Sequence, residues 1–263
     1  MARHTGVSQP TVSRIIDEDL DMRLINKPEE KHLTEAAIAK RKQRAKAFAE
    51  MVGGEKRKYI LTLVEAALPF DYTNGKTMQC YVKKKIEERD QPIPRSTSAA
   101  QFPKQIMYAA GFSWKGATRF YHIPQNSKMN APTFIKKVLH PMLFVDLKKL
   151  YGKERSKVWI HFDSASSHVA RGTYAWSGKH GFNYITKDEW WANSPKVSPM
   201  DYFANVYLKN KLKKRKYRTI SGMIAAASDE CSKIPLEMFR KALDLWSDRV
   251  LKIHKAHGQY VPM

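Results

Sequence analysis

Two carboxylates in the second half of the chain stand where metal-ligating acids are usually placed. Asp163 opens Asp163-Ser-Ala-Ser-Ser-His168 and directly follows an apolar run, Val158-Trp-Ile-His-Phe162. Such a run predicts a buried strand, with Asp163 at its end. Asp201 lies in Ser194-Pro-Lys-Val-Ser-Pro-Met-Asp201-Tyr, a Pro-punctuated loop leading into a predicted helix start. The 37 residues between Asp163 and Asp201 mean that the two acids reach one place from separate elements. Oxygen-ligand Mg²⁺ sites for phosphoryl chemistry are commonly assembled in this way.

These segments resemble the mariner-like transposases of the mariner/Tc group, whose catalytic domain is RNase H-like. The family pattern is Asp-x-Ala-x-x-His, about 35 residues, then Ser-Pro-Asp-Leu-x-Pro-x-Asp/Glu. Asp163 and His168 match the first part, and Ser194, Pro195, Pro199 and Asp201 match the second. Between them, Glu189-Trp190 is similar to the family's Glu-Trp-Pro run, with Trp191 in place of the proline. Upstream, Gln105-Ile-Met-Tyr-Ala-Ala-Gly-Phe-Ser-Trp-Lys-Gly116 is similar to the strand and turn that precede a Lys-x-Asn-Ala segment, here Lys128-Met-Asn-Ala131. The resemblance implies an α/β fold: an RNase H-like mixed sheet flanked by helices, preceded by a short helical helix-turn-helix remnant. It also implies a DDE/DDD-type site with Asp163 and Asp201 as catalytic, metal-ligating carboxylates for Mg²⁺ or Mn²⁺. The ancestral activity is then Mg-dependent cleavage and transfer of DNA strands, as in transposition. Transposases of this type act as dimers, which leaves a homodimer open for this chain.

The family requires a third carboxylate, first in chain order, in a Thr-x-Asp-Glu motif on the first strand. The matching segment is Ile60-Leu-Thr-Leu-Val64-Glu65-Ala66, so Val64 occupies the metal-binding position. Two-metal phosphoryl transfer needs an anionic bridge between the ions, and valine has no lone pair. Side chains alternate faces along a strand, so Glu65 is expected to point away from the side that residue 64 faces. Rescue by Glu65, or by Asp71 further on, is the alternative. Lys196 replaces the family's Asp in Ser-Pro-Asp, and Ser164 replaces the usual Asn or Gly after the second Asp. Weak metal binding and little or no strand cleavage are expected. His168 falls in or near the site by resemblance, orienting Asp163 or contacting DNA; the plainer reading is a helix-start histidine bonded to backbone.

Charge points to a polyanion. Lys plus Arg total 47 against 25 acids, giving a net charge of +22. The charge is clustered: Lys209, Lys211, Lys213, Lys214, Arg215, Lys216 and Arg218 are seven basic residues in a run of ten that follows the Asp201 helix. A basic helix end beside a nucleic-acid site grips phosphates; a solvated helix face or a nuclear localisation signal are the alternatives. The apolar fraction of 43% is enough for a sizeable core. No apolar run reaches membrane-span length, so no membrane association is expected. Cys80 and Cys231 lack metal-ligand spacing and read as reduced thiols. A reducing compartment follows, and with a DNA partner the expected location is nuclear.

At the N-terminus, Gly6-Val7-Ser8-Gln9-Pro10-Thr11-Val12-Ser13-Arg14-Ile15-Ile16 is similar to the turn and recognition helix of a helix-turn-helix. Ser8 suits an N-cap, Pro10 a first turn, and Val12, Ile15 and Ile16 form an apolar stripe. Gln9, Thr11 and Arg14 would then face a major groove. Few residues precede Gly6, so a unit truncated before its first helix is expected. The expected division is a partial helix-turn-helix at 1–20, a linker and helix at 21–54, and the RNase H-like domain at 55–263. Residues 21–33 read as linker, and Thr34 to about Val52 as a capped helix stopped by Gly53-Gly54. Strands are expected at Tyr59–Leu63, Met78–Val82, Ile106–Phe112, Val158–Phe162 and Phe182–Ile185, with a loop at 87–103. Thr133 to Tyr151 reads as an amphipathic helix interrupted or offset near Pro141, and two more helices are expected at 219–229 and 235–254. Trp190 and Trp191 read as packing residues, with stacking on a splayed base as the alternative. Four readings follow: a transposase-derived DNA-binding protein with impaired catalysis, an active enzyme rescued by another acid, a non-catalytic nucleic-acid-binding adaptor, and a decayed reading frame.

Overall fold

The computed structural model describes residues 6–26, 33–70, 79–83, 105–124, 129–162, 165–191, 194, 196–213, 215 and 217–261. Two units form: Met1–His32 with Tyr72–Phe102, and Leu33–Asp71 with Pro103–Met263. The helix before residue 54 packs into the larger unit, which begins near residue 33.

In the smaller unit, helix α1 (Gln9–Arg14) continues as a π-helical turn, Ile15–Asp19. The Ser8 hydroxyl caps it by accepting from the Thr11 N–H at 3.3 Å. Of the expected stripe, Val12 is buried and Ile16 half-buried, but Ile15 is exposed. Residues 21–33 are not simply a linker: Met22–Asn26 form strand β1, antiparallel to Gln79–Lys83 (β3). A partner more than fifty residues away leaves no local signal in a charged segment, which is why composition misread it.

The larger unit begins with α2 (Glu35–Val52). Thr34 caps it, accepting from the Ala37 N–H at 3.3 Å. A 3₁₀ turn, Gly54–Tyr59, leads into β2 (Ile60–Pro69). Next come β4 (Gln105–Ser113), β5 (Gly116–Ala117), β6 (Tyr121–Ile123), helix α3 (131–151), β7 (Trp159–Phe162), α4 (Arg171–Lys179) and β8 (Asn183–Ile185). Helix α5 starts with a π-helical segment, Met200–Asn205, and continues as Val206–Leu212; α6 (Ile220–Ser232) and α7 (Leu236–Lys255) follow. The sheet order is β5-β4-β2-β7-β8, with β6 also on β4. β2 pairs antiparallel with β4 and parallel with β7, so the sheet is mixed.

Period-two alternation sorts the core onto two faces. Leu61 and Leu63 of β2 and Ile160 and Phe162 of β7 pack against α3 through Phe134, Leu139, Leu143 and Leu147. On the other face, Ile60 joins Phe48 of α2 and Trp246 of α7, and His161 meets the Phe48 and Trp246 rings. Trp190 and Trp191 are buried here and stacked at 5.1 Å, so both are core and neither is open to a base. Helix α3 is offset rather than interrupted at Pro141. π-helical turns at Ile135–Leu139 and Met142–Asp146 flank the proline and widen the helix around its missing N–H and its ring.

Candidate active site

Strand β2 sends residues 64 and 65 to opposite faces. Val64 pairs with Ala110 of β4 and is buried. Its neighbours on the same face, Thr62 and Ala66, lead to α5: β2 packs on the Met200–Asn205 segment, and Thr62, Met200 and Ala204 line one small cavity. Tyr108, which pairs with Ala66, donates its hydroxyl to Asn205 Oδ1. That bond fixes the amide, so Asn205 Nδ2 donates to Asp201 Oδ1 at 3.3 Å. Val64 and the Asp201 helix therefore share one side of the sheet.

Glu65 takes the other side. Its Oε2 lies 3.2 Å from His168 Nε2 and accepts from the Ser167 hydroxyl at 3.4 Å. His168 is fully buried, with its ring 4.2 Å from that of Phe134, centroid to centroid. The histidine therefore cannot touch DNA in the folded chain. Its Nε2 instead stands beside the Glu65 carboxylate of β2, which sets the segment after β7 against that strand. Asp163, Ser164 and Asp71 lie outside the described residues. Asp163 follows Phe162, the β7 residue paired with Leu63.

The described residues do not fit a two-metal centre. No group of three His, Cys, Asp or Glu side chains able to hold a metal ion occurs among them. Val64 offers no ligand atom, Glu65 is turned away, and the Asp201 carboxylate is met by a neutral amide.

The Asp201 loop is tied down from two helices. Arg41 of α2 is buried and donates to the Ser194 hydroxyl at 2.9 Å and to the Gly258 carbonyl at 2.7 Å. Arg249 of α7 donates to the Lys196 carbonyl at 2.8 Å, and its guanidinium lies 3.9 Å from the Tyr202 ring centroid. Tyr202 donates in turn to the Ala242 carbonyl, and burial pushes its phenol well above the usual range. The family-pattern positions 194 and 196 thus act here as anchors for the loop. Sequence reading missed Tyr108, Asn205, Arg41 and Arg249. Only Asn205 left a local signal, one helical turn after Asp201; the others act across long separations.

The basic run is partly committed. Lys209, Lys211, Lys213 and Arg218 are exposed, whereas Arg215 is paired with Glu230 of α6. Lys214 and Lys216 lie outside the described residues. On α1, Gln9 and Arg14 are exposed, while the Thr11 hydroxyl is 2.8 Å from Ser8 Oγ and belongs to the cap.

A mixed sheet with β2 central, helices on both faces and the Asp201 helix across β2 is an RNase H-like arrangement. It is the fold of the Mos1 mariner transposase. The Mos1 paired-end complex with Mn matches with a TM-score of 0.73 at 18% identity, over 99% of this chain and 74% of that one. The corresponding Mg complex matches at 0.72 and 19%, with the same coverage. The isolated Mos1 catalytic domain matches at 0.66 and 14%, over 89% of this chain and 99% of that domain. No family model matches the chain, and neither does any curated protein sequence. At these identities the likeness is one of fold.

Proposed function

We propose that this chain is a DNA-binding protein built on the mariner-transposase fold and silent as a nuclease. The single observation that carries the reading is the split at residues 64 and 65. The face that bears the Asp201 helix receives a buried valine, and the adjacent acid is spent on His168. DNA as partner is supported by the Mos1 complexes, one of which holds the left transposon end. It is also supported by the net charge of +22 and by exposed Lys209, Lys211, Lys213 and Arg218 at and beyond the end of the Asp201 helix. Exposed Gln9 and Arg14 on α1 supply a further DNA contact in this reading. A nuclear location goes with a DNA partner in this reading.

The test is to incubate the purified chain with supercoiled plasmid and Mg²⁺ or Mn²⁺. It should retard the plasmid in a salt-sensitive manner and leave it supercoiled. Failure to bind at low salt would sink the DNA-binding half of the reading, and metal-dependent nicking would sink the other.

A further inference from the structure

We propose that the outer surface of α3 and α4 is a second nucleic-acid site that takes an unpaired strand. Two exposed histidines stand there with their rings held in place. His140 stacks on Phe144 at 4.8 Å and 24°, and His180 lies 4.5 Å from the Trp176 ring. The His180 Nδ1 is 2.8 Å from the Trp176 carbonyl oxygen, which fixes that ring, and Trp176 lies 6.1 Å from His140. Arg155 lies over the same cluster, 5.5 Å from the Phe144 centroid. The four rings make a contiguous band across the two helices, with imidazoles at the solvent side.

The surroundings are cationic. Exposed Lys136 and Lys137 come one turn before His140, and exposed Lys179 adjoins His180. No acid occurs in residues 131–145 or 165–187. Asp146 is bound by Arg119, Glu154 by Lys115 and Lys157, Asp188 lies 3.7 Å from Arg44, and Glu189 accepts from the Thr186 N–H. Burial of Phe144 and Trp176 is ordinary helix packing. Packing alone does not require exposed imidazoles held on those rings and flanked by lysines. Pre-oriented ring planes flanked by lysines bind unpaired bases by stacking and their phosphates by charge, with little dependence on sequence. A duplex offers its phosphates but keeps its bases stacked, so the rings select for a single strand.

The surface belongs to the helical layer on the α3 side of the sheet, whereas the Asp201 helix lies on the opposite side. It therefore stands or falls separately from the basic end of α5.

Fluorescence anisotropy of a labelled single-stranded oligonucleotide and of its duplex, across a salt series, tests the assignment. Three variants are compared with the unmodified chain: His140→Ala/His180→Ala, Lys136→Glu/Lys137→Glu/Lys179→Glu, and Lys209→Glu/Lys211→Glu/Arg218→Glu. The histidine pair should weaken single-strand binding about tenfold with the duplex little changed, in line with sequence-tolerant stacking. The lysine triple should also reduce the log–log salt slope for the single strand by about 2, at roughly 0.7 per lost phosphate contact. The α5 triple should weaken the duplex instead. Unchanged single-strand binding in both surface variants overturns the inference and leaves the DNA-binding reading intact. Equal losses on strand and duplex, or losses in the lysine triple alone, overturn the stacking assignment. Should circular dichroism show that the histidine pair has unfolded, His140→Ala alone, on an exposed side chain, decides between the same outcomes.

Discussion

Glu65 and His168 show how one strand position decides the chemistry of its neighbour. The pair is nearly dry: the Glu65 side chain is 11% exposed and that of His168 is fully buried. Removing one member of a buried polar pair costs far more than the pair contributes over an apolar substitute. Glu65→Ala should therefore destabilise the fold by about 3 kcal/mol, read by urea unfolding; a loss below about 0.5 kcal/mol, the size of an ordinary surface substitution, would mean the contact is incidental. The opposed faces of residues 64 and 65 were legible in the sequence, because strand alternation needs only the strand. The partner of Glu65 was not, since His168 comes from a turn that follows a different strand. Glu154 carries a pH prediction at this same scale. Lys115, Tyr59 and Lys157 bond its carboxylate and hold it at about 2, below the ordinary 4.5. A folded value below the unfolded one stabilises fully above pH 4.5, and that contribution fades as pH falls toward about 2. Glu154→Gln should lower Tm at pH 7 and lower it less at pH 3. An equal drop at both pH values would assign the effect to lost shape rather than to charge.

Helices α2 and α7 show what element-level reading captured and what it missed. The start of α2 followed from Thr34 and its end from Gly53-Gly54, both local signals. Its function in the fold was not legible, because that depends on contacts with the far end of the chain. Phe48 meets the rings of His161, Trp190, Trp191 and Trp246 with almost no exposure. Phe48→Ala should cost about 4 kcal/mol in chemical denaturation, the range for emptying an aromatic core position. The same helix is closed on by Gly258, whose φ of +88° is disfavoured for side-chain-bearing residues and where an added Cβ would come 2.3 Å from the Ile38 carbonyl oxygen. Gly258→Ala should force that turn off α2, loosening the Arg41 bonds to Gly258 and Ser194 that also hold the Asp201 loop. Faster amide exchange at 194–202 would report it; unchanged protection there would separate the loop from the C-terminal segment. Strand β1 was misread, and the choice between an interrupted and an offset α3 stayed open, for a related reason. A long-range ladder and π-helical turns around Pro141 are tertiary solutions that a local pattern does not encode.

At the scale of the whole molecule, charge, fold and site combine into one expectation. A chain of net charge +22 on the Mos1 fold should hold DNA through counterion release, so affinity should fall steeply with salt whether or not it cuts. The fold was legible because the order of its motifs could be read, where comparison with curated sequences finds nothing and the structural matches share only 14–19% identity. On the proposed reading, the state of the site rests on a single side chain. Plasmid nicking with Mg²⁺ or Mn²⁺ by the unmodified chain, beside Val64→Asp, Glu65→Gln and Asp163→Ala, measures that most directly. The unmodified chain should not nick, and any gain should be confined to Val64→Asp. Nicking by the unmodified chain that disappears in Glu65→Gln or Asp163→Ala would contradict a site silenced at residue 64.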